Sequence, residues 1–578
     1  MTILRRLLAG AAVLLLLTAV WMWWTRPVPV EMSGYVPADA LVYLEADDLP
    51  ALARALGASE ALRAVPSGRR RGLDWAGEPW LEGFVSLTGL APHREVVLAR
   101  SQVAVAVLGF EAREEGAGAS LRLVPRVAVV AETHTPEWRT RPAVERLVAD
   151  LARGSYGAPS VERKEVDGVA FVSWVAPGDE RRRLVAAVAG SVAVIGNDEA
   201  AVRACLEVRG GSRPGLSADA RLRAMRAKAA GGEGPALAFG YAPAGSAARI
   251  VENLAPAFAG GAAEDPRVQG LLATLLPQMV NKVIGAVGWV ALPAGSLIED
   301  RYLISLAGDV GQRLQAPFAP YPEWGRGGAA LLPADTHQFT QYNFRSPELA
   351  WRGLGAALSS QFDVTRGPVI TLALEALVKP YGVERPREFL RAVGPEVVTA
   401  RLSPESERKV LIVEAFDRAA LTAQARRFLG PGLKAEKAEG AELLISGDPE
   451  RGVAAFVGGY LLLGDAADVR RCLDAARRNQ TLGSAEPFGL FPAPGTEGPA
   501  VARTLSDDGA AVAAVVSLLT ARAAAGGGAR EPAAAEKSGP RARYSVSETR
   551  LTEEGFEKKT RSAFGLFGEL LARAAPRR

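Results

Sequence analysis

One segment of the chain occurs twice, and this repeat limits the possible folds more than any other feature. The first copy is "GSVAVIGNDEAAVRACLEV" at Gly190–Val208, and the second is "GGYLLLGDAADVRRCLDA" at Gly458–Ala475. The copies align over 18 positions with one residue skipped, and eight of those positions are identical. Cys205 and Cys472, the only two cysteines among 578 residues, share one position. Each copy predicts two short strands followed by a helix.

Other blocks of the sequence recur in the same order around this repeat. Val36–Gly57 and Leu332–Gly355 both contain Pro-Ala-Asp, then an extended run, then a Pro-x-Leu-Ala motif that opens a helix. The remaining paired blocks are Pro125–Leu151 with Arg408–Leu429, Val161–Trp174 with Leu433–Ser446, Ala236–Ala255 with Pro499–Thr520, and Gly288–Gly308 with Ala542–Gly565. A repeat of this length predicts two homologous lobes, lobe A at 34–325 and lobe B at 328–578.

The order of strands and helices within each lobe predicts the fold class. Asp-Gly and Glu-Gly pairs between polar and apolar runs are typical of hairpins, and helices separate the groups of strands. We therefore expect an α+β fold, in which each lobe is a mainly antiparallel sheet with packed helices. The Gly/Ala/Pro-rich insert at 523–542 is predicted to be flexible. The apolar run Leu271–Leu292 predicts a core helix followed by a buried strand.

The N-terminus predicts one transmembrane helix. Residues 7–24 contain no charge, and at about 1.5 Å per residue a helix of this length nearly spans a bilayer core. Arg5 and Arg6 precede the apolar run, so residues 1–6 form a cytoplasmic stub and the rest of the chain is periplasmic or extracytoplasmic. We expect a single-pass signal-anchor in the inner (cytoplasmic) membrane. A cleaved signal peptide stays open as the alternative, and either way the residues after Thr25 are exported.

The Pro-Ala-Asp motif, the Gly-x5-Gly hairpin with its following helix, and the closing "GFEKKTRSAFG" carry a resemblance. The chain resembles a bacterial family catalogued as domain of unknown function number thirty-three fifty-two, over nearly all of the exported region. Members of that family are mostly uncharacterised exported or membrane-anchored proteins of similar length. The resemblance implies no activity, cofactor or catalytic residue.

Motifs that carry chemistry are few. His93, His134 and His337 show no zinc-ligand spacing, and each is interpreted as a surface or turn residue. Ser406 and Lys409 match the Ser-x-x-Lys spacing of penicillin-binding enzymes, but they fall in a polar turn without the companion motifs. Gly353–Leu358 lacks the third glycine of a dinucleotide fingerprint and falls inside a predicted helix. We assign no catalytic, cofactor-binding or metal-binding residue, and no cofactor.

Charged and aromatic groups have structural interpretations. The chain carries 68 Lys and Arg against 64 Asp and Glu, and this small excess with export predicts no nucleic-acid partner. Asp39 and Asp335 are interpreted as turn residues, and Asp47 and Asp48 as groups at a helix N-terminus. The runs Arg69–Arg71 and Arg181–Arg183 are interpreted as solvated loops, and the pair Trp75 and Trp80 as core.

These observations predict a membrane-anchored protein of the bacterial cell envelope that acts as a non-catalytic binding or structural module. Its partners are the membrane, through the N-terminal helix, and a protein or lipid in the inter-lobe cleft. Two alternatives stay open: a carrier or sensor of hydrophobic ligands such as lipids, and an envelope hydrolase with an unrecognised site. Cys205 and Cys472 lie at i, i+3, i+4 apolar positions, so we expect two free, buried thiols rather than a disulfide.

Overall fold

The structure is a computed structural model. It describes residues 29–63, 101–115, 120–231, 235–262, 266–362, 370–371, 374–375, 378, 381–406, 408–438, 440–492, 499–523 and 540–574. The predicted stub 1–6, the anchor 7–24, His93, Trp75, Trp80, Arg69–Arg71 and most of the insert 523–542 therefore lie outside the described residues. The described chain is α+β with a large antiparallel sheet, which confirms the predicted fold class. Within it, none of the helices has the length and apolar character needed to cross a membrane.

Strands and helices are numbered in chain order. The strands are β1 (Val42–Ala46), β2 (Gln102–Glu115), β3 (Ser120–Glu132), β4 (Ser160–Val166), β5 (Val169–Ala176), β6 (Asp179–Ala189), β7 (Val192–Gly196), β8 (Ala238–Ala242), β9 (Ile284–Ala294), β10 (Leu297–Leu306), β11 (Gln338–Asn343), β12 (Val393–Arg401), β13 (Val410–Ala415), β14 (Lys434–Ala438), β15 (Ala441–Ile445), β16 (Val453–Val457), β17 (Tyr460–Gly464), β18 (Ala502–Asp507), β19 (Tyr544–Thr552) and β20 (Gly555–Ser562). The helices are α1 (Leu49–Gly57), α2 (Glu60–Arg63), α3 (Glu137–Tyr156), α4 (Glu199–Arg209), α5 (Ala220–Ala230), α6 (Ser246–Ala262), α7 (Pro266–Val283), α8 (Val310–Gln315), α9 (Pro347–Ser359), α10 (Pro386–Arg391), α11 (Arg418–Leu429), α12 (Ala466–Arg477), α13 (Gly509–Ala523), α14 (Pro540–Arg543) and α15 (Gly565–Ala574).

The described residues form two compact units. The first holds 29–54, 101–224 and 237–240, and the second holds 55–63, 225–231, 235–236 and the described residues from Tyr241 onward. The division does not follow the predicted lobe boundaries, because β9 and β10 fall in the second unit, where β10 pairs with β20. The boundaries at 34–325 and 328–578 stay predictions about the sequence repeat.

The sheet of the first unit has the order β8–β1–β2–β3–β7–β6–β5–β4, and the pairs from β1 to β4 are antiparallel. Helix α3 covers one face, where Val144 and Val148 pack against Val172 and Trp174. The β4–β5 hairpin turns at Asp167 and Gly168, with φ of 53° and 77°. Positive φ at both turn residues is typical of a type I′ hairpin, which confirms the prediction from the Asp-Gly pair.

The second unit contains an antiparallel sheet in the order β14–β15–β16–β17–β13–β12–β11–β18–β19–β20–β10–β9. Helices cover both faces of its first part. Leu421 and Leu429 of α11 pack on one face with Leu461 and Leu463, while α12 packs on the other face with Leu462. Because both faces are buried, β17 is a continuous apolar run rather than an alternating one.

The sheets of the two units repeat one strand order. In the first unit β3 is followed across the sheet by β7, β6, β5 and β4, and in the second unit β13 is followed by β17, β16, β15 and β14. Several local predictions are also confirmed. The run Leu271–Leu292 forms the end of α7 and then β9, and Ser346 caps α9 by accepting a hydrogen bond from Leu349 N.

Candidate functional site

Each unit contains a buried polar cluster beside the segment that leads into one of its strands. We call residues 29–35 and 321–328 the lead-in segments. The first precedes β1 and the second precedes β11. Both segments run beside side chains from the ends of neighbouring strands, which bind the polar groups of the segment backbone. Both clusters hold buried polar side chains with partners far apart in the chain, so they are candidates for a functional site.

Gln102 is the centre of the first cluster. Its side chain is 2% exposed, and it accepts a hydrogen bond from Val30 N at 2.7 Å and donates one to Val30 O at 2.9 Å. A carboxamide carries both an acceptor and donors, so it satisfies both backbone groups of one residue as a neighbouring strand would. Its amide nitrogen also donates to Asp47 Oδ1 at 2.8 Å. Gln102 therefore fixes the lead-in segment to β2.

Glu132 and His134 complete this cluster. Glu132 accepts hydrogen bonds from Tyr35 Oη at 3.3 Å and His134 N at 2.9 Å, and burial followed by the Glu132 charge raises the pKa of Tyr35. His134 Nε2 lies 3.2 Å from Gln102 Oε1, and its backbone has φ of 49°. His134 lies in a turn, which confirms the interpretation as a surface or turn residue, and its side chain is 14% exposed.

The second cluster is built around Glu396. Its Oε1 accepts hydrogen bonds from Gly328 N at 3.2 Å and Gln341 Nε2 at 2.6 Å, and its Oε2 accepts one from Tyr460 Oη at 2.7 Å. Gln341 Nε2 also donates to Gly325 O at 2.6 Å. Both carboxylate oxygens are thus occupied, and two backbone groups of the second lead-in segment are satisfied.

Arg503 lies beside this cluster in a ring of aromatic side chains. It is 8% exposed and donates from Nε to Gln341 Oε1 at 2.6 Å. Its guanidinium carbon lies 4.5–5.0 Å from the ring centroids of Trp324, Phe488 and Phe491. Burial lowers the pKa of Arg503 to about 10, so the group stays charged at neutral pH. The charge is held by ring faces and by Glu396 rather than by a direct ion pair.

The clusters occupy matching positions in the repeat. Gln102 lies near the start of β2 and Glu396 near the start of β12, the second strand of each copy. Gln341 on β11 occupies the position in its copy that Glu45 on β1 occupies in the other. Sequence analysis missed these residues because their partners are distant in the chain. Val30 and Gln102 are 72 residues apart, and Gln341 and Arg503 are 162 apart. The available signal was a polar residue next to an apolar run at the same place in both copies, in "SQVAVAV" and "GPEVVTA".

The Pro-Ala-Asp motifs form matching turns. Ala40 N donates to Pro37 O in one, and Thr336 N donates to Pro333 O in the other. The turn prediction is therefore confirmed. The carboxylates of these turns contact arginines on the surface: Arg213 Nη2 lies 2.9 Å from Asp39 Oδ2, and Arg471 Nη2 lies 2.7 Å from Asp335 Oδ2. An open cleft of about 490 Å³ adjoins the second turn.

The other residues weighed in the sequence have local roles. Ser406 lies in the turn before β13, as predicted, with its Oγ 3.1 Å from Ser403 Oγ. Asp48 Oδ1 accepts from Ala51 N in the first turn of α1, which confirms the helix N-terminus, whereas Asp47 binds Gln102. Gly353–Leu358 lies inside α9 as expected. Across the part of the chain that the structure describes, no group of three His, Cys, Asp or Glu side chains is placed to hold a metal ion.

Both cysteines are free and buried, which confirms the prediction from the repeat. Each lies on the buried face of its helix, Cys205 on α4 and Cys472 on α12. Burial raises the pKa of each thiol to about 12. Neither forms the thiolate that nucleophilic or redox chemistry requires near neutral pH.

Comparison with known proteins finds no matching family model, no matching curated protein and no matching solved structure. The interpretation of function therefore depends on the residues and the geometry described above. The resemblance to the family of unknown function stays a prediction.

Proposed function

We propose that the chain is a membrane-anchored, non-catalytic binding or structural protein of the bacterial cell envelope, built from two lobes that arose by duplication. The observation that carries the proposal is the matched pair of buried polar clusters on the lead-in segments. In each, buried side chains with long-range partners hold the chain just before the first strand of a lobe. The polar groups thus fix the backbone, as expected of a scaffold.

The duplication is supported by backbone hydrogen bonds as well as by strand order. Ala38 N donates to Pro214 O, and in the second copy Ala334 N donates to Gln480 O. Leu216 N donates to Val36 O, and Leu482 N donates to Leu332 O. These pairs join the Pro-Ala-Asp turn to the segment after α4 in one copy and after α12 in the other. Side chains diverge more readily than backbone pairing, so matched backbone bonds favour common descent of the lobes.

The proposed anchor limits how far the first lead-in segment lies from the membrane. Val30 follows the last residue of the apolar run, Trp24, by six residues. An extended chain spans at most about 3.5 Å per residue, so these six residues reach roughly 20 Å. A helix at 7–24 therefore holds Val30 within that distance of the bilayer surface. Gln102 then fixes Val30 to the sheet. This arrangement presents the folded part close to the outer face of the inner membrane, as the resemblance also implies.

The non-catalytic role is supported by how the reactive side chains are used. The Glu396 carboxylate accepts three hydrogen bonds from within the protein, and the cysteine thiols are held protonated by burial. His134 and Glu132 contact the lead-in segment or its ligand Gln102. Of the two alternatives, the carrier of hydrophobic ligands is favoured by one further observation, a groove along α9 that is argued below.

Fractionation of the full chain in a Gram-negative host tests this proposal. We expect the protein to stay in the membrane pellet after alkaline carbonate extraction and to be digested by protease added to spheroplasts. A chain that lacks residues 7–24 is the matched control and should stay in the cytosol. Release of the full chain by carbonate, or protection from external protease, would refute the anchor. The mass of the mature N-terminal peptide separates an uncleaved anchor from a signal peptide.

A further inference from the structure

A groove runs along α9 in the second unit. Its volume is about 680 Å³, within the range of about 300–1,000 Å³ that is typical of pockets for small ligands. Its walls come from the segment after α8, from α9, from residues 371, 374 and 375, and from the start of α10. The lining residues are Ala316, Pro317, Leu349, Trp351, Arg352, Gly353, Gly355, Ala356, Ser359, Thr371, Leu374, Glu375 and Arg387.

The floor of the groove is apolar and made of small residues. Gly353 lies against the Pro317 ring, where a Cβ atom would collide, so glycine allows α9 to approach this wall. Ala356 lies one turn further along the helix. Leu349, one turn before Gly353, is 52% exposed. Its apolar side chain is thus left in contact with water, which costs free energy. An apolar chain along these residues would remove this side chain from water.

Two arginines without ion-pair partners lie at the groove. Arg352 on α9 and Arg387 on α10 are both exposed, and no carboxylate of the described chain pairs with either. Their neighbours outside the groove are paired: Arg385 contacts Glu388 at 2.9 Å, and Arg391 contacts Glu348 at 3.1 Å. Glu375 is the one acidic side chain among the described lining residues, so these residues together carry a net positive charge. This charge complements an anion.

We propose that the α9 groove binds a fatty acid, with the chain along Leu349, Gly353 and Ala356 and the carboxylate paired with Arg352 and Arg387. A cavity of about 150 Å³ holds one benzene ring, so about 680 Å³ accommodates a chain on the order of 20 carbons. One acyl chain therefore fits better than a whole two-chain lipid. The groove lies wholly within the second unit, so this inference does not depend on the proposed anchor.

Photo-crosslinking with the full chain tests the site. The protein is reconstituted in neutral phosphatidylcholine nanodiscs and labelled with palmitate that carries a diazirine near the chain end. We expect mass spectrometry to find the label on peptides of α9 and α10. Unlabelled palmitate should compete, whereas hexadecanol and hexadecyltrimethylammonium should not. Labelling only elsewhere, or equal competition by hexadecanol, would overturn the proposal, and stronger competition by a lysophospholipid would overturn the choice of a fatty acid.

Variants locate the contacts. The double variant Arg352→Ala/Arg387→Ala should weaken palmitate competition about five- to thirtyfold, as expected for the loss of two exposed ion pairs. Arg385→Ala, at the N-cap of the same short helix but outside the groove, is the matched control and should bind as the wild type does. Ala356→Trp should abolish labelling of α9 while the circular-dichroism melting curve is kept. Unchanged competition in the double variant would refute the site. A chain that fails to enter nanodiscs would refute the anchor instead, and the labelling is then done in solution.

Discussion

Asp300 is a carboxyl group in a place where a charge is costly. It is 1% exposed on β10, and it accepts hydrogen bonds from Trp289 Nε1 and from Leu566 N, each at 2.9 Å. Leu566 N is one of the unpaired donors in the first turn of α15, so a residue of the sheet caps this helix. Burial, which outweighs both hydrogen bonds, raises the pKa of Asp300 to about 7.

This shift predicts a pH dependence of stability. An unfolded aspartate titrates near 3.9, so between about pH 4 and 7 the folded chain binds more protons than the unfolded chain. The contribution of Asp300 to the free energy of unfolding is therefore present below about pH 4 and is lost as the pH rises through 7, by at most about 4 kcal/mol. Urea denaturation of wild type and Asp300→Asn between pH 4.5 and 8 checks this. The stability advantage of the wild type should shrink as the pH rises.

A matched control separates this effect from the many other carboxylates. Asp309 is about half exposed, and the hydrogen bond from Arg313 lowers its pKa, so its linkage has the opposite sign and falls below this pH range. Asp309→Asn should leave the slope of stability against pH nearly unchanged. If wild type and Asp300→Asn lose stability in parallel over this range, Asp300 is not the titrating group.

In the repeated Gly-x5-Gly hairpin, the first and the second glycine are required for different physical reasons. Gly190 and Gly458 have φ of 61° and 52° at the turns into β7 and β17, and glycine adopts this conformation at little cost. Gly196 and Gly464 close the same strands. At Gly196 an added Cβ atom would lie 2.7 Å from Val127 O, whereas at Gly464 the nearest atom, Val410 Cγ2, is 3.3 Å away.

This difference predicts unequal effects of one substitution at two matching positions. Gly196→Ala forces a backbone contact and should lower the free energy of unfolding by about 1–3 kcal/mol. Gly464→Ala should change it by less than about 1 kcal/mol, because the contact with Val410 Cγ2 needs a shift of only a few tenths of an ångström and the unfolded chain loses entropy. Thermal denaturation of the two variants measures this, and equal losses at both positions would contradict the contact geometry at Gly196.

Sequence patterns predicted the elements of this fold better than the site. The hairpin at Asp167 and Gly168, the N-cap at Ser346 and the buried cysteines depend on signals within a few residues, and the structure confirms them. The Gln102 cluster depends on the meeting of segments far apart in the chain, which no local periodicity encodes. The groove depends on unpaired charge at Arg352, and pairing is a property of the folded chain alone.

At the scale of the whole sheet, the last hairpins of the two halves of the sequence pair with each other. Strands β10 and β20 form an antiparallel ladder from Ile298 opposite Ser562 to Ser305 opposite Gly555. Both strands belong to the second unit. Each hairpin thus covers an edge that the other would leave open, and an open sheet edge is a site for pairing with another chain.

The edge strands β4 and β14 are protected from pairing with another chain in a different way. β4 pairs only with β5, and β14 pairs only with β15, among the described strands. Their sequences, "SVERKEV" and "KAEKA", place charges along each edge. Charged side chains oppose edge-to-edge association, whereas β20 is covered by a strand from the first half of the sequence.

This contrast predicts that residues 321–578 form a dimer when they are expressed without the first half. The cores on α11 and α12 lie wholly within this fragment, so we expect it to fold. Without β10 the edge of β20 is open, and a second copy can pair with it antiparallel about a two-fold axis. In the register of β10, Glu557 of each copy lies opposite Arg561 of the other.

Light scattering coupled to size-exclusion chromatography measures the mass of this fragment. We expect a dimer at micromolar concentration. Arg561→Glu replaces both cross-strand ion pairs by pairs of like charge. The dimer of this variant should therefore dissociate, most strongly at low salt, where the repulsion is least screened. A third fragment, with Lys437→Glu on the charged edge β14, is the control and should stay dimeric. A monomeric wild-type fragment with native circular dichroism would show that β20 is stable without β10 or a second copy of β20 beside it. It would also remove the argument, from this pairing, that the chain arose from a two-fold pair of lobes.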